Sequence, residues 1–348
     1  DKISLNKKNI KKEYYDKRIL ITGGAGSIGS EIIRQLIKFK PSQILIIDNS
    51  ETPMFDLKSE LSSFEEEINF HFVVDSILDK DSMSNLFKKF KPEVVFHAAA
   101  FKHVSMMEEN PKSAIINNIL GTKNLLEVSL NSTISKFVFI SSDKAVNPSS
   151  VMGVTKRICE LYISKFFKDI PNIIVTRFGN VLGSNGSVVK IFKDQISSGG
   201  PLTVTHPDVN RYFMTIPEAS QLVLEAGAMG EKGEIFVFDM GVPVKISELA
   251  KKMIKLSGKV LDEDIKIEYI GLREGEKLYE ELLTDNEKLK TSYNPLILIA
   301  EKDYVDKNTY TTIDELIESA KKGSNNQILI DKMREIVEEY KPLNSKYS

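Results

Sequence analysis

The chain has 348 residues, 47 Lys and Arg against 49 Asp and Glu, a net charge of −2 and a single cysteine. That balance supplies no basic field for nucleic acid or an anionic membrane surface, so the expected partner is a small molecule. The lone Cys159 excludes an internal disulfide framework, fits a reducing, cytoplasmic compartment and reads as helix packing.

Ahead of any strand the chain carries Lys2, Lys7, Lys8, Lys11, Lys12 and Lys17 and starts without methionine. Residues 1–17 therefore read as a solvated linker or arm of a longer protein. No apolar run approaches the roughly 18 residues that span a bilayer. From 18 to 180, short β-rich runs alternate with helical patterns. Strands are expected at 18–22, 43–48, 69–74, 93–98, 136–141 and 172–177, with helices at 30–39, 81–90, 111–130 and 151–167. This rhythm predicts an α/β fold, a Rossmann-like doubly wound parallel sheet. Past Gly179 the rhythm breaks at Gly183, Gly186, Gly199, Gly200, Pro201, Pro207 and Pro217. Residues 181–348 are read mainly as a smaller substrate-binding lobe, with two charged helices between 311 and 340.

The first strand runs into Thr22-Gly23-Gly24-Ala25-Gly26-Ser27-Ile28-Gly29 at the opening of a helix. Gly23 would make the tight turn, Gly26 would let the backbone approach a pyrophosphate, and Gly29 would pack helix on strand. Ser27 and Ile28 lie in the first helical turn, whose free N–H groups attract the anion. Asp48 follows 19 residues after Gly29, where a carboxylate accepts bonds from an adenosine ribose. Asn49-Ser50-Glu51 offers no cation for a 2′-phosphate, so NAD is favoured over NADP. Asp75, beside Ser76, would face the adenine edge, or else serve only as a turn or helix cap. Ala98, Ala99 and Ala100 keep the fourth strand end small where a cofactor crosses it. His97 reads as packing. Asn118 and Thr122 share a helical face, suited equally to packing and to a water or cofactor contact.

The glycine turn, Asp48, residues 97–100, Asn118 to Thr122 and Lys156 four residues after Met152 resemble the extended short-chain dehydrogenase/reductase superfamily. Within it, residues 98–104, 142–148 and 151–157 look like the bacterial UDP-N-acetylglucosamine 4,6-dehydratases of the membrane-anchored CapD, WbpM and PglF type. The resemblance spans about 14–283. It implies a lyase that uses bound NAD without net redox change: hydride leaves carbon 4, water leaves across carbons 5 and 6, and hydride returns to carbon 6. It also implies upstream membrane helices in the whole protein, with this portion on the cytoplasmic face.

Loss of the carbon-5 proton and of the carbon-6 hydroxyl needs a base and an acid. Lys144 is assigned as base, which requires a lowered pKa, expected from burial, Lys156 and NAD. Asp143 is assigned the carbon-4 hydroxyl proton and its delivery to the leaving hydroxyl, supported by Ser142. Met152 stands where the wider superfamily has tyrosine and cannot ionise. This leans toward retention of configuration at carbon 5, with Lys156 left to bind the nicotinamide ribose. For UDP, Asn180 resembles the family's diphosphate-binding asparagine, Ser187 opens a helix that would meet a phosphate, and Arg211, Arg273 and Glu276 would clamp phosphate and ribose. Lys102 and His103 lie near the sugar pocket by resemblance.

Four histidines and one cysteine show no metal-ligand spacing. The competing readings are a nucleotide-sugar 4-epimerase and a non-catalytic NAD-binding protein. A homodimer through the helices at 111–130 and 151–167 is expected.

Overall fold

The computed structural model describes residues 5–230, 233–283, 289–300 and 305–347. The N-terminal half runs α1 (Lys7–Tyr14), β1 (Arg18–Thr22), α2 (Ser27–Ile37), β2 (Gln43–Asp48), α3 (Glu51–Leu61), β3 (Asn69–Val74), α4 (Lys80–Phe90), β4 (Val94–His97), α5 (Val104–Glu109) and α6 (Pro111–Ala114). A π-helical turn, Ile115–Leu120, leads into α7 (Gly121–Leu130), then β5 (Lys136–Ile140), α8 (Val151–Ile163) and β6 (Asn172–Arg177). The rest comprises β7 (Asn180–Leu182), α9 (Val188–Ser197), β8 (Leu202–Val204), β9 (Asn210–Arg211), β10 (Phe213–Thr215), α10 (Ile216–Met229), β11 (Ile235–Phe238), β12 (Val244–Lys245), α11 (Ile246–Leu256), β13 (Ile267–Tyr269), β14 (Leu289–Thr291), β15 (Ile297–Ala300), α12 (Lys307–Lys321) and α13 (Asn326–Ile336).

Among the described residues, nine strands form one sheet in the order β14-β15-β11-β6-β5-β4-β1-β2-β3. The seven from β11 to β3 are parallel; β15 and β14 add antiparallel. Strand order reverses between β1 and β4, which leaves a crevice at the carboxyl ends of the strands. The central runs are apolar throughout, with Leu20, Ile21, Val95, Phe96, Phe137 and Val138 all fully buried, because helices cover both faces.

Three expectations are corrected. Residues 7–14 are no solvated arm: Ile10 and Tyr14, one helical turn apart, are fully buried against α10, and Tyr14 Oη donates to Leu224 O at 3.0 Å. Of the lysines that suggested a linker, Lys7, Lys8, Lys11 and Lys12 lie on the exposed faces of this helix. Nor does the chain after 180 stay in a lobe, since β11, β14 and β15 extend the main sheet. The lobe proper is built on a small separate core of Phe192, Leu202, Val204, Val209, Ile246, Ala250, Ile254 and Ile265.

The third concerns α12 and α13, which pack on α6, the π turn and α8. Their Ile313, Leu316, Ile317, Ile330 and Met333 join one core with Ile115, Ile119, Ile158 and Tyr162. The face through which a second copy was expected to pair is thus covered by this chain's own C-terminal helices. Beyond them the tail returns to the crevice: Lys341 N donates to Pro148 O (3.1 Å), Leu343 N to Ser149 O (3.2 Å) and Gly275 N to Leu343 O (2.7 Å). Among the described residues, no helix is long and apolar enough to cross a membrane.

Candidate active site

A cleft of about 940 Å³ opens at the strand ends and extends from the glycine turn to the small lobe. Its first half is shaped by backbone proximity. Gly23 has φ +66°, and a Cβ there would stand 2.7 Å from Ala99 N; a Cβ on Gly29 would stand 2.2 Å from Gly23 O. Side chains at either position would push β1, β4 and α2 apart. Helix α2 starts at Ser27, three residues earlier than its sequence pattern suggested, and Gly26 caps it without a side-chain bond. Its first-turn amides therefore face the cleft, which Gly23, Gly26, Ser27, Ile28 and Gly29 line. Asp48 Oδ2 accepts Ala25 N (3.1 Å) and Oδ1 accepts Ser50 N (3.0 Å), so the carboxylate that borders the cleft also fixes the glycine turn.

Asp75 and Ser76 line the cleft with Ala98, Ala99 and Ala100. The Asp75 carboxylate is engaged within the chain, accepting Ser76 N at 2.6 Å and the Ser82 hydroxyl. This is the geometry of the turn-and-cap alternative. His97 is fully buried between Thr22 Oγ1 (2.7 Å) and Thr122 Oγ1 (2.9 Å), and burial, aided by Lys156, pushes its pKa down to about 3. A neutral packing histidine results. Asn118 grips Phe101, accepting its N–H at 2.8 Å and donating to its carbonyl at 3.1 Å, while Thr122 donates to Asn118 O at 2.6 Å. Of the two readings open for this pair, packing accounts for these bonds, and Asn117 is the neighbour that lines the cleft.

At the end of β5 the chain makes a tight turn, Asp143–Ala145, capped by Ser142 Oγ, which accepts Lys144 N at 3.3 Å. The turn sits so close to α8 that a Cβ on Gly153 would stand 2.2 Å from Lys144 O. Ser142 Oγ donates to Asp143 Oδ1 (2.9 Å), and Lys144 Nζ donates to the same oxygen (3.0 Å) and to Asn180 Oδ1 (3.2 Å). Asp143 is wholly buried behind Ser142 and Lys144, and its Oδ2 has no hydrogen-bond partner among the described residues. A Cβ on Gly179 would lie 3.1 Å from that oxygen, so the missing side chain leaves room beside it.

The expected lowering of the Lys144 pKa is reversed. Burial does pull it down, but Asp143 and Glu280 together outweigh burial and the opposing Arg211, so the amine is held above its ordinary value. Burial depresses two other lysines of the cleft, Lys102 and Lys156, the latter to about 8; Lys156 Nζ donates to Ile140 O at 2.8 Å and lies 4.7 Å from the centre of the Phe139 ring. Met152 lines the cleft one turn earlier, and no tyrosine is among the described residues that do so.

In the lobe half, Asn180 stands on β7 and Ser187 at the start of α9, its Oγ buried and without a partner among the described residues. Lys102 and His103 border the same space, with the His103 ring against Gly186. Arg211 lines the cleft, yet its fork is turned onto the 276–280 segment: Nη2 donates to Lys277 O (2.8 Å) and Glu276 Oε1 (3.1 Å), and Nη1 to Asn210 O (2.6 Å). Arg273 also lines the cleft, and its backbone N donates to Glu276 Oε2 at 3.0 Å.

Two carboxylates escaped the sequence reading. Glu280, at 3.6 Å from both Lys144 Nζ and Arg211 Nε, is one of several acids in Glu274 to Glu281 with nothing to single it out. Glu160, on α8, is buried beneath the site and accepts Ser141 Oγ (2.6 Å), Arg177 Nε (2.8 Å) and Arg177 Nη2 (2.6 Å). Burial raises its pKa, but Arg177 more than compensates, so it stays below the usual carboxylate value.

Comparison with known proteins adds four findings. Residues 19–302 match the family described as polysaccharide biosynthesis protein. The capsular polysaccharide biosynthesis protein CapD of Staphylococcus aureus is 54% identical over 290 residues, covering 82% of this chain and 48% of that protein, so the chain spans about half the length of that relative. Among solved structures, Pen of Bacillus thuringiensis superposes with a TM-score of 0.78 at 33% identity, over 85% of this chain and 92% of that one. The UDP-glucuronic acid 4-epimerase of Bacillus cereus, solved with UDP-glucuronic acid and NAD, gives 0.65 at 25%, over 76% and 90%.

Proposed function

The chain belongs to the polysaccharide biosynthesis protein family, as an extended short-chain dehydrogenase/reductase of CapD type, and from that premise we propose that it binds NAD and dehydrates UDP-N-acetylglucosamine to the UDP-4-keto-6-deoxy sugar. The observation that carries this reading is Lys144 at the cleft, with the buried Asp143 carboxylate 3.0 Å from its amine, in a cleft lined also by Met152, which cannot ionise. Elimination needs such an acid and base; hydride exchange at one carbon needs only a single proton acceptor.

Gly23, Gly26, Ser27, Ile28 and Gly29 with Asp48 would hold the cofactor's pyrophosphate and ribose, with Asp75, Ser76 and the alanines at 98–100 along the cleft wall. When bound, NAD supplies hydride acceptance from carbon 4 and hydride return to carbon 6. Ser142 Oγ faces the cleft and donates to buried Asp143, so the carbon-4 hydroxyl proton is passed to Asp143 through Ser142. The new ketone acidifies the carbon-5 proton, which Lys144 takes once its ammonium has released a proton to water in the cleft. Protonated Asp143 then releases its proton toward the departing carbon-6 hydroxyl, and Lys144 returns a proton to carbon 5. Lys156 supplies a nearby field and a ribose contact. Asn180, Ser187, Arg273 and Glu276 would bind the diphosphate and ribose of UDP, with Lys102 and His103 toward the sugar. Arg211 acts mainly by ordering the 276–280 segment.

A 4-epimerase reading is favoured by the fold match to the Bacillus cereus enzyme. Incubation with UDP-N-acetylglucosamine and NAD in deuterium oxide separates the two by proton NMR. A 6-deoxy methyl signal with deuterium at carbon 5 is expected; a carbon-4 epimer without deuterium uptake would refute dehydration.

A further inference from the structure

We propose that Glu280 is a positioning residue that governs the charge of Lys144, linking the base to Arg211 through one shared carboxylate oxygen. The proposal rests on the reading of Lys144 as the base. Glu280 Oε1 lies 3.6 Å from Lys144 Nζ and 3.6 Å from Arg211 Nε, and its side chain is only 5% exposed. It arrives on the segment that Arg211 fastens through Lys277 O and Glu276 Oε1. The charged groups facing Lys144 are Asp143 on its own turn, Glu280 from this segment and Arg211 from β9; Asn180 on β7 is the neutral fourth partner.

The consequence concerns when Lys144 becomes a base. With Asp143 and Glu280 both ionised, the amine keeps its proton, and Asp143 is the member of the pair that can accept one. Receipt of the carbon-4 hydroxyl proton neutralises Asp143 and removes one of the two carboxylates that hold the ammonium, so that Lys144, 18% exposed at its side chain, releases its own proton to water in the cleft. Glu280 is then the remaining brake, its oxygen shared between Lys144 and Arg211. Lys144 and Asp143 thereby lose and gain charge in sequence, not independently.

Removing the Glu280 charge should make Lys144 easier to deprotonate, which is the opposite of simple damage. In the NAD-loaded chain with 13Cε-labelled lysine, the Lys144 resonance is assigned by its loss in Lys144→Met and titrated by NMR. Glu280→Gln is expected to move that titration to lower pH. It should also raise kcat/KM near pH 6, relative to the variant's own plateau, by about tenfold, the effect of removing one close opposite charge. Glu280→Asp, with its charge withdrawn by one methylene, gives a smaller shift in the same direction and keeps the test open if the amide variant fails to fold. An unmoved Lys144 titration, with activity lowered equally at all pH values, would overturn the proposal. Because the titration needs no turnover, a wild-type chain inactive on UDP-N-acetylglucosamine refutes the dehydratase reading separately.

Discussion

Replacing Glu160 with glutamine should destabilise the chain by about 3–5 kcal/mol, the usual consequence of removing one partner from a buried ion pair. Glu160 and Arg177 are 1% and 0% exposed at their side chains, and the carboxylate takes Arg177 Nε at 2.8 Å and Nη2 at 2.6 Å. Charge-assisted bonds contribute about 1.5–3 kcal/mol each. The amide keeps one acceptor oxygen and turns an N–H donor toward a second donor, so one bond is lost and the other loses its charge. Urea unfolding at pH 7 measures the difference. Because Arg177 holds the Glu160 pKa below its usual 4.5, the gap between wild type and variant is complete above about pH 4.5 and closes as pH falls through the lowered folded-state value. A loss under about 1 kcal/mol at pH 7, or a gap unchanged in acid, would refute the argument. Glu160→Met combined with Arg177→Met should recover most of the loss, since desolvation offsets much of a buried pair's attraction. The single variant should also lower kcat, because Glu160 holds Ser141 next to Ser142 and Asp143.

Lys144→Ala should reduce turnover by about 10²–10⁴-fold, the usual contribution of a general base. It should also abolish deuterium uptake at carbon 5, and undiminished exchange would remove Lys144 from that role. Gly29→Ala should prevent NAD binding, followed by fluorescence or calorimetry, because its methyl would lie 2.2 Å from Gly23 O. Ile10→Ala should cost about 2–5 kcal/mol in urea unfolding, the range for a buried large-to-small change; a neutral result would return α1 to the status of a solvated arm.

The sequence alone determined the parallel sheet and the dinucleotide turn. Strands β1, β2 and β6 have the bounds their apolar runs suggested, because a strand buried on both faces is written as a short continuous block, and the edge strand β3 also has its expected bounds. The glycine spacing was equally legible, since backbone proximity admits only that residue at Gly23 and Gly29. Other features were decided by contacts between distant segments. Helix α1 read as a lysine-rich arm because two buried residues carry its docking, and the helices at 111–130 and 151–163 read as free to pair because α12 and α13, which pack on them, come from the far end of the chain. The same holds at the chemistry. Sequence placed Asp143 beside Lys144, but burial pulls the Lys144 pKa down, and Asp143 is joined in raising it by Glu280, 136 positions later, on the segment that Arg211 fastens. Local pattern records which groups are present, whereas their charge depends on every group that folding brings within a few ångströms.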